Sequence, residues 1–387
     1  MDSADGFVVD VDLSSIHIPP VQEPPMYESV PERLERTHTP AVTFRLRVID
    51  NEQLMGEARR TIYVNNDNGY KAGFPIRLQG SGESSPVLTD INGDGVFEIV
   101  AGDSSGAVHV YDGHGEELEG WPAWTDTMAS SELHSAAQSF SDGWLDLDAR
   151  EPIISSVAVA DVTGDGIVNI VVAGAFGQIY MYDATGEMMS GFPVSIIGRE
   201  PWEFDTEHTY DNAIMGAPTI YDIDFDGTGE IIVAGMDSRL YVWEHDGAPF
   251  DGYPIEVCHE QNCGVSGNKL INSVAVGDVD GDGSVDFLLG SNETVNDGGY
   301  TVTHALNALT GLPLPGWPLE GRGLINASAS LPTIGEGHPA SVALADLDDD
   351  GDLEIVDVVM LGQNDVLSHE GSVALDLDYN ALGANSN

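Results

Sequence analysis

The chain has 387 residues, with 65 Asp and Glu against 13 Lys and Arg, and a formal net charge of −52 at pH 7. A balance this acidic offers no basic patch for nucleic-acid phosphates and no attraction to an anionic membrane surface. Hydrophobic content of 42% is enough to build a core, and 45 glycines among short apolar runs point to an all-β, turn-rich fold.

No run of 18 apolar residues is present, so no membrane insertion is expected. The opening residues, Met1-Asp2-Ser3-Ala4-Asp5-Gly6, carry neither the basic nor the apolar region of a signal peptide. The expectation is a fragment of a longer protein. Residues 1–40 are rich in Pro and Glu and read as linker or disordered chain. Residues 41–66 read as the last strands of an Ig-like β-sandwich, with Phe44, Leu46 and Val48 alternating and Ile62 and Val64 doing the same after a loop. Eight of the 13 basic residues lie in the first 77 positions, so the composition shifts at this boundary.

From residue 67 to the end one pattern recurs. VLTDINGDGVFEIVAG starts at Val87 and returns in altered form at Val157, Pro218, Val274 and Val342. Its first acidic residues are Asp90, Asp161, Asp222, Asp278 and Asp346. After each of the first three acidic loops comes a β-type run, from Val108, Ile179 and Leu240. A Gly-aromatic-Pro triplet closes four units: Gly120-Trp121-Pro122, Gly191-Phe192-Pro193, Gly252-Tyr253-Pro254 and Gly316-Trp317-Pro318. One unit thus reads as strand, acidic loop, strand, turn, strand, turn, strand. Four short strands per repeat make a blade, and repeated blades make a β-propeller. Five repeats are visible, fewer than the six to eight of an ordinary ring. Either the chain holds part of a larger ring, or Gly73-Phe74-Pro75 supplies a last outer strand and closes five blades.

The five loops share oxygen side chains at positions one, three, five and nine. These are Asp90, Asn92, Asp94 and Glu98; Asp161, Thr163, Asp165 and Asn169; Asp222, Asp224, Asp226 and Glu230; Asp278, Asp280, Asp282 and Asp286; and Asp346, Asp348, Asp350 and Glu354. Calcium takes six to eight hard oxygen ligands, and alternate residues of a tight loop can face one ion. The glycine at position six permits the left-handed turn this needs. An EF-hand is excluded, because its position-twelve glutamate is replaced by Ala101, Val172, Val233, Leu289 and Asp357 and no helices flank the loops. Up to five ions are expected, and the second loop, with two neutral ligands, is expected to bind weakest.

These loops resemble the FG-GAP (VCBS-type) repeats of integrin-like propellers and of bacterial secreted proteins. The resemblance covers about residues 70–387. It implies calcium at the residues just named and a secreted or cell-surface module that acts in binding or adhesion, with a protein or glycan ligand on the loop face. No catalytic set can be assembled from the spacing. The alternatives are a carbohydrate-active propeller, as lectin or polysaccharide lyase, and an accessory domain of a secreted subtilisin-like protease.

Other residues carry weaker expectations. Trp124, Trp144, Trp202 and Phe204, in long inserts that include 123–152 and 291–300, are candidates for stacking on sugar rings. Trp121, Trp243 and Trp317 are expected on blade strands in the core. His134, His208, His259, His304, His338 and His369 read as loop histidines. Cys258 and Cys263 can close a small disulfide loop, whereas a zinc site lacks ligands beyond His259.

Overall fold

Short apolar runs separated by turn residues fold as strands, and in the computed structural model every regular element among the described residues is a strand. The structure describes residues 41–49, 55–63, 71, 73–76, 78, 80–127, 150–196, 213–258, 269–295, 298–321, 341–347, 353–360 and 372–377. The chain divides into two compact units, Met1–Pro75 and Ile76–Asn387.

In the first unit β1 (Ala41–Ile49) pairs antiparallel with β2 (Met55–Tyr63), in register from Ala41 opposite Tyr63 to Ile49 opposite Met55. The strand pair expected here is present. Two strands alone do not distinguish an Ig-like remnant from any other hairpin.

The second unit is a series of antiparallel sheets, each a simple meander. The first blade is β3 (Val87–Thr89), β4 (Glu98–Gly102), β5 (Ala107–Tyr111) and β6 (Ala123–Trp124). The second is β7 (Ala158–Ala160), β8 (Asn169–Ala173), β9 (Gln178–Tyr182) and β10 (Val194–Ser195). The third is β11 (Thr219–Tyr221), β12 (Glu230–Ala234), β13 (Arg239–Trp243) and β14 (Ile255–Glu256). The fourth is β15 (Ala275–Gly277), β16 (Asp286–Val295), β17 (Gly298–Asn307) and β18 (Leu319–Gly321). The fifth shows three strands among the described residues, β19 (Ala343–Ala345), β20 (Glu354–Met360) and β21 (Ser372–Leu377). The short first strands neighbour one another in the order β3, β7, β11, β15, β19, which is the inner ring of a propeller.

Each blade packs on the next through both of its faces. Strand β8 is buried at all five positions: Ile170 and Val172 face the first blade, whereas Val171 and Ala173 face the third. The third blade repeats this, with Ile231 and Val233 turned back and Ile232 and Ala234 turned forward. A sheet covered on both sides needs unbroken apolar strands, which is why IVVA and IIVA lack the usual polar alternation. Each fully buried Val, Leu or Ile contributes about 1.5–3 kcal/mol.

The Gly-aromatic-Pro triplets are the corners before the fourth strands. Their aromatic-Pro bonds are cis, as is Phe74-Pro75. The glycine of each triplet has a positive φ, and at Gly191, with φ +94°, it is also required by a close approach: a Cβ there would run into the carbonyl oxygen of Asp246 in the next blade. Trp121, Trp243 and Trp317 are all buried, as expected. Only Trp243 lies on a strand; Trp121 and Trp317 sit in the corners.

Two further expectations are corrected. Residues 291–300 do not form a loop insert: Ser291–Val295 and Gly298–Tyr300 extend the β16–β17 hairpin. His304 is not a loop histidine but a buried residue of β17, its Nε2 3.0 Å from Ser291 Oγ. The remaining five histidines of that group, together with Trp144, Trp202 and Phe204, lie outside the described residues.

Candidate metal centres

Each acidic loop is the link between the first and second strands of its blade. Position one directly follows β3, β7, β11, β15 or β19, and position nine is the first residue of β4, β8, β12, β16 or β20. The loop is built by its own side chains. In the first four loops one oxygen of the position-one aspartate accepts the position-six N–H, from Gly95, Gly166, Gly227 or Gly283, at 2.7–3.0 Å. Its other oxygen accepts the position-five N–H at 3.0–3.1 Å. The position-five carboxylate then accepts the position-seven N–H at 2.7–2.8 Å. Position nine reaches back across the hairpin to the position-two N–H, in all five loops, at 2.6–3.0 Å.

This scaffold leaves oxygens over. At Glu230, which is fully buried, Oε2 takes the Ile223 N–H at 2.7 Å while Oε1 has no partner. At Asp286, also fully buried, Oδ2 takes the Val279 N–H at 3.0 Å while Oδ1 has none. Thr163 Oγ1 in the second loop is likewise buried without a partner.

Asp222, Asp224 and Glu230 each bring a carboxylate oxygen within 4.8 Å of the other two, and so do Asp278, Asp280 and Asp282. Among the described residues these are the two such groups, so the three carboxylates of the first loop are not brought equally close. In the third loop Asp226 stands outside its group, with Oδ1 held by the N–H and hydroxyl of Thr228. In the fourth, Asp286 stands outside. Of the fifth loop, Asp346 and Glu354 are described, whereas Asp348 and Asp350 lie outside the described residues.

The electrostatics follow the crowding. Burial pushes Glu230 up to about 7, and the charges of Asp224, Glu244 and Asp222 add to it, against the Ile223 hydrogen bond. Asp286 is pushed up to about 6 by burial and by Asp280, Asp282 and Asp278. Asp280 is raised by burial and by Asp282 and Asp278. Asp226 moves the other way, held down by its bonds from Thr228. Loops three and four therefore concentrate negative charge at a cost that a cation would remove.

Residues 222–289 match the FG-GAP-like repeat. The match opens on position one of the third loop and takes in the whole of the fourth, so both three-carboxylate groups lie within the FG-GAP-like segment. No curated protein sequence matches the chain. Among solved structures, the Dos1 propeller is similar at 10% identity over 78% of this chain and 60% of that one, with a TM-score of 0.42. BBS1N in complex with ARL6DN is similar at 13% identity over 75% and 78%, with a TM-score of 0.35. BamB from Moraxella catarrhalis is similar at 13% identity over 87% and 90%, with a TM-score of 0.34. The propeller assignment rests on the sheet order and the inner ring described above.

Sequence reasoning passed over several residues that build these blades. The apolar position two, Ile91, Val162, Ile223 or Val279, is buried and ties each of the first four loops to the core between blades. Position four is left-handed in the first four loops, and in the third it is Phe225, at φ +60° and exposed. At the turn between second and third strands, Asp103 Oδ1 accepts the N–H groups of Ser105 and Ala107. In the second blade Gly174 stands at that place, and Glu151 arrives from the preceding segment to accept from Phe176 and Gln178. The Tyr180 hydroxyl donates to Glu151 at 2.9 Å, as Tyr241 does to Asp237 at 2.6 Å. In the first blade His109 takes the tyrosine's place, between Glu117 at 2.6 Å and Asp103 at 3.5 Å. Nothing local in the sequence pairs Glu151 with a turn 25 residues away. Of the sugar-stacking candidates, Trp124 is described, and Arg150 covers a face of its ring, 5.1 Å from the centroid.

Proposed function

We propose that the chain is a calcium-stabilised β-propeller module of a secreted or cell-surface protein, acting in binding or adhesion rather than catalysis. The observation that carries this reading is the pair of buried carboxylates, Glu230 and Asp286, each with one oxygen bonded to the backbone and the other without a partner. A buried polar atom left unpaired costs about 1–3 kcal/mol, and more when charged. A hard cation that takes several oxygens removes that cost. The spacing fits at Glu230: two ligands 2.3–2.6 Å from one calcium lie no more than about 5 Å apart, and the carboxylate oxygens of Asp222, Asp224 and Glu230 lie within 4.8 Å of one another; in the fourth loop those of Asp278, Asp280 and Asp282 do, beside Asp286. The donors are all oxygen, which favours calcium over zinc. Cys258 is disulfide-bonded, which supports an oxidising compartment.

Calorimetric titration with calcium, together with thermal unfolding in calcium and in chelator, tests the reading. Heat from at least two sites and a higher melting temperature in calcium are expected. No heat and an unchanged melt would overturn it.

A further inference from the structure

Position nine opens the second strand of a blade, and the residue across from it lies at the end of the third. In the fourth blade that pair is Asp286 opposite Asn307. The registers of Ile99 with Tyr111, Ile170 with Tyr182 and Ile231 with Trp243 continue by one residue. They place Asp112 across from Glu98, Asp183 across from Asn169, and Glu244 across from Glu230. Side chains directly across an antiparallel pair share a face, with Cβ atoms about 5 Å apart.

In the first, second and fourth blades this residue serves its own turn. Asp112 Oδ1 accepts the N–H groups of His114 at 2.8 Å and Glu116 at 2.9 Å. Asp183 Oδ1 accepts those of Thr185 at 2.8 Å and Glu187 at 3.0 Å. Asn307 Oδ1 accepts the Thr310 N–H at 3.2 Å. The third blade differs. There Asp246 takes over the turn, with Oδ1 accepting the Ala248 N–H at 2.9 Å. The carboxylate of Glu244, partly buried, accepts no hydrogen bond among the described residues.

Glu244 therefore spends its charge on the metal centre. It stands across from Glu230, whose Oε1 is buried without a partner, and like charges placed opposite one another are destabilising. Burial and then the charges of Asp224 and Asp226 push the Glu244 carboxyl up. The equivalent Asp112 is held down by the N–H bonds of its turn. Glu244 lies outside the close group of Asp222, Asp224 and Glu230, so it acts on that group through its charge.

We propose that Glu244 is an affinity-setting residue of the third metal centre, where its unbonded carboxylate adds a fifth negative charge to Asp222, Asp224, Asp226 and Glu230 and makes this loop the tightest calcium site of the first four. The inference rests on the calcium reading of the loops and ranks them. The fourth loop has four carboxylates with the neutral Asn307 across from position nine, so it binds second. A unit charge about 8 Å from a divalent ion changes its binding roughly fivefold even at the dielectric constant of water, and salt screens most of that away.

Calcium titration of the intact chain against a competing chelator dye, in low and in high salt, tests this. Glu244→Gln should leave the number of bound ions unchanged and weaken the tightest binding event about fivefold in low salt, with most of the difference gone in high salt. Glu230→Gln should weaken the same event. Asp112→Asn keeps an acceptor for its turn, as Asn307 does, and should leave that event unchanged. In chelator Glu244→Gln should melt no lower than the parent, because the charge it removes opposes Asp224 and Asp226. Parent-like affinity in Glu244→Gln, in a chain that binds calcium, would overturn the proposal and leave the calcium reading standing. A parent that binds no calcium would overturn both. A Glu244→Gln variant that melts lower in chelator, or that loses affinity equally at both salts, would show a structural role and would also overturn the proposal.

Discussion

Replacing Glu230 by Gln should stabilise the protein in chelator and weaken its response to calcium. The carboxyl sits at the start of β12, fully buried, and is raised from 4.5 to about 7. A carboxyl raised in the folded state contributes stability below its unfolded value and loses it as pH rises through the folded one. For Glu230 that window runs from pH 4.5 to about 7. At pH 8 the ionised group then costs the metal-free protein about 3 kcal/mol, since each tenfold gain in proton affinity on folding is worth about 1.4 kcal/mol. Gln keeps an oxygen for the Ile223 N–H and removes the charge. The melting temperature in chelator at pH 8 should therefore rise by several degrees, and the gain should disappear near pH 4.5. In calcium the sign reverses, because an anionic ligand of the third loop is gone and the stabilisation by bound ion shrinks. Scanning calorimetry of both proteins, in chelator and in excess calcium, reads all four values. A variant that melts below the parent in chelator at pH 8, or one that gains as much from calcium as the parent, would refute the reasoning.

Phe225→Gly should raise stability by about 0.5–1 kcal/mol, because a left-handed non-glycine residue costs roughly 1–2 kcal/mol and glycine returns part of that as chain entropy; denaturant unfolding measures it. Gly191→Ala should destabilise by more than about 2 kcal/mol by the same measurement, since the new methyl meets the Asp246 carbonyl and the backbone is left-handed. Asn169→Asp should give the second loop the position-nine carboxylate of the fourth, buried at the first residue of the second strand, with Thr163 still at position three. It should lower the melting temperature in chelator and add calcium heat or affinity in calorimetry. No change in either would mean that position nine does not govern the loop.

The blades were legible because their signals are local. A three-residue inner strand, an Asp every second position and a Gly-aromatic-Pro corner recur along the chain, and each marks a turn or strand through nearest neighbours alone. The same holds for position nine, whose partner is only seven residues away. What stayed hidden depends on distance. Spacing ranks all four carboxylates of the fourth loop alike, yet its close group is Asp278, Asp280 and Asp282, with Asp286 outside it. Glu151 replaces a missing turn acid from the preceding segment, and no periodicity announces it. The 291–300 stretch, with Asn292, Asp297 and Gly298-Gly299, has the composition of a loop but pairs as a hairpin because β16 and β17 continue past the blade. Phe225 breaks the glycine pattern at position four, where loop sequence predicts no left-handed phenylalanine.

Position nine explains why charge was built into a core at all. It is the first residue of the second strand, it closes the hairpin onto position two, and in the first four loops position two is a buried contact between blades. An apolar residue there would pack well but leave the position-two N–H without an acceptor. Asn169 shows that a neutral oxygen satisfies that bond. Glu98, Glu230, Asp286 and Glu354 therefore do more than the hairpin requires, and the excess is one negative charge held beside three other loop oxygens in the sequence pattern. Backbone geometry selects an oxygen at position nine. It gives no reason for a carboxylate, and the proposed cation supplies one.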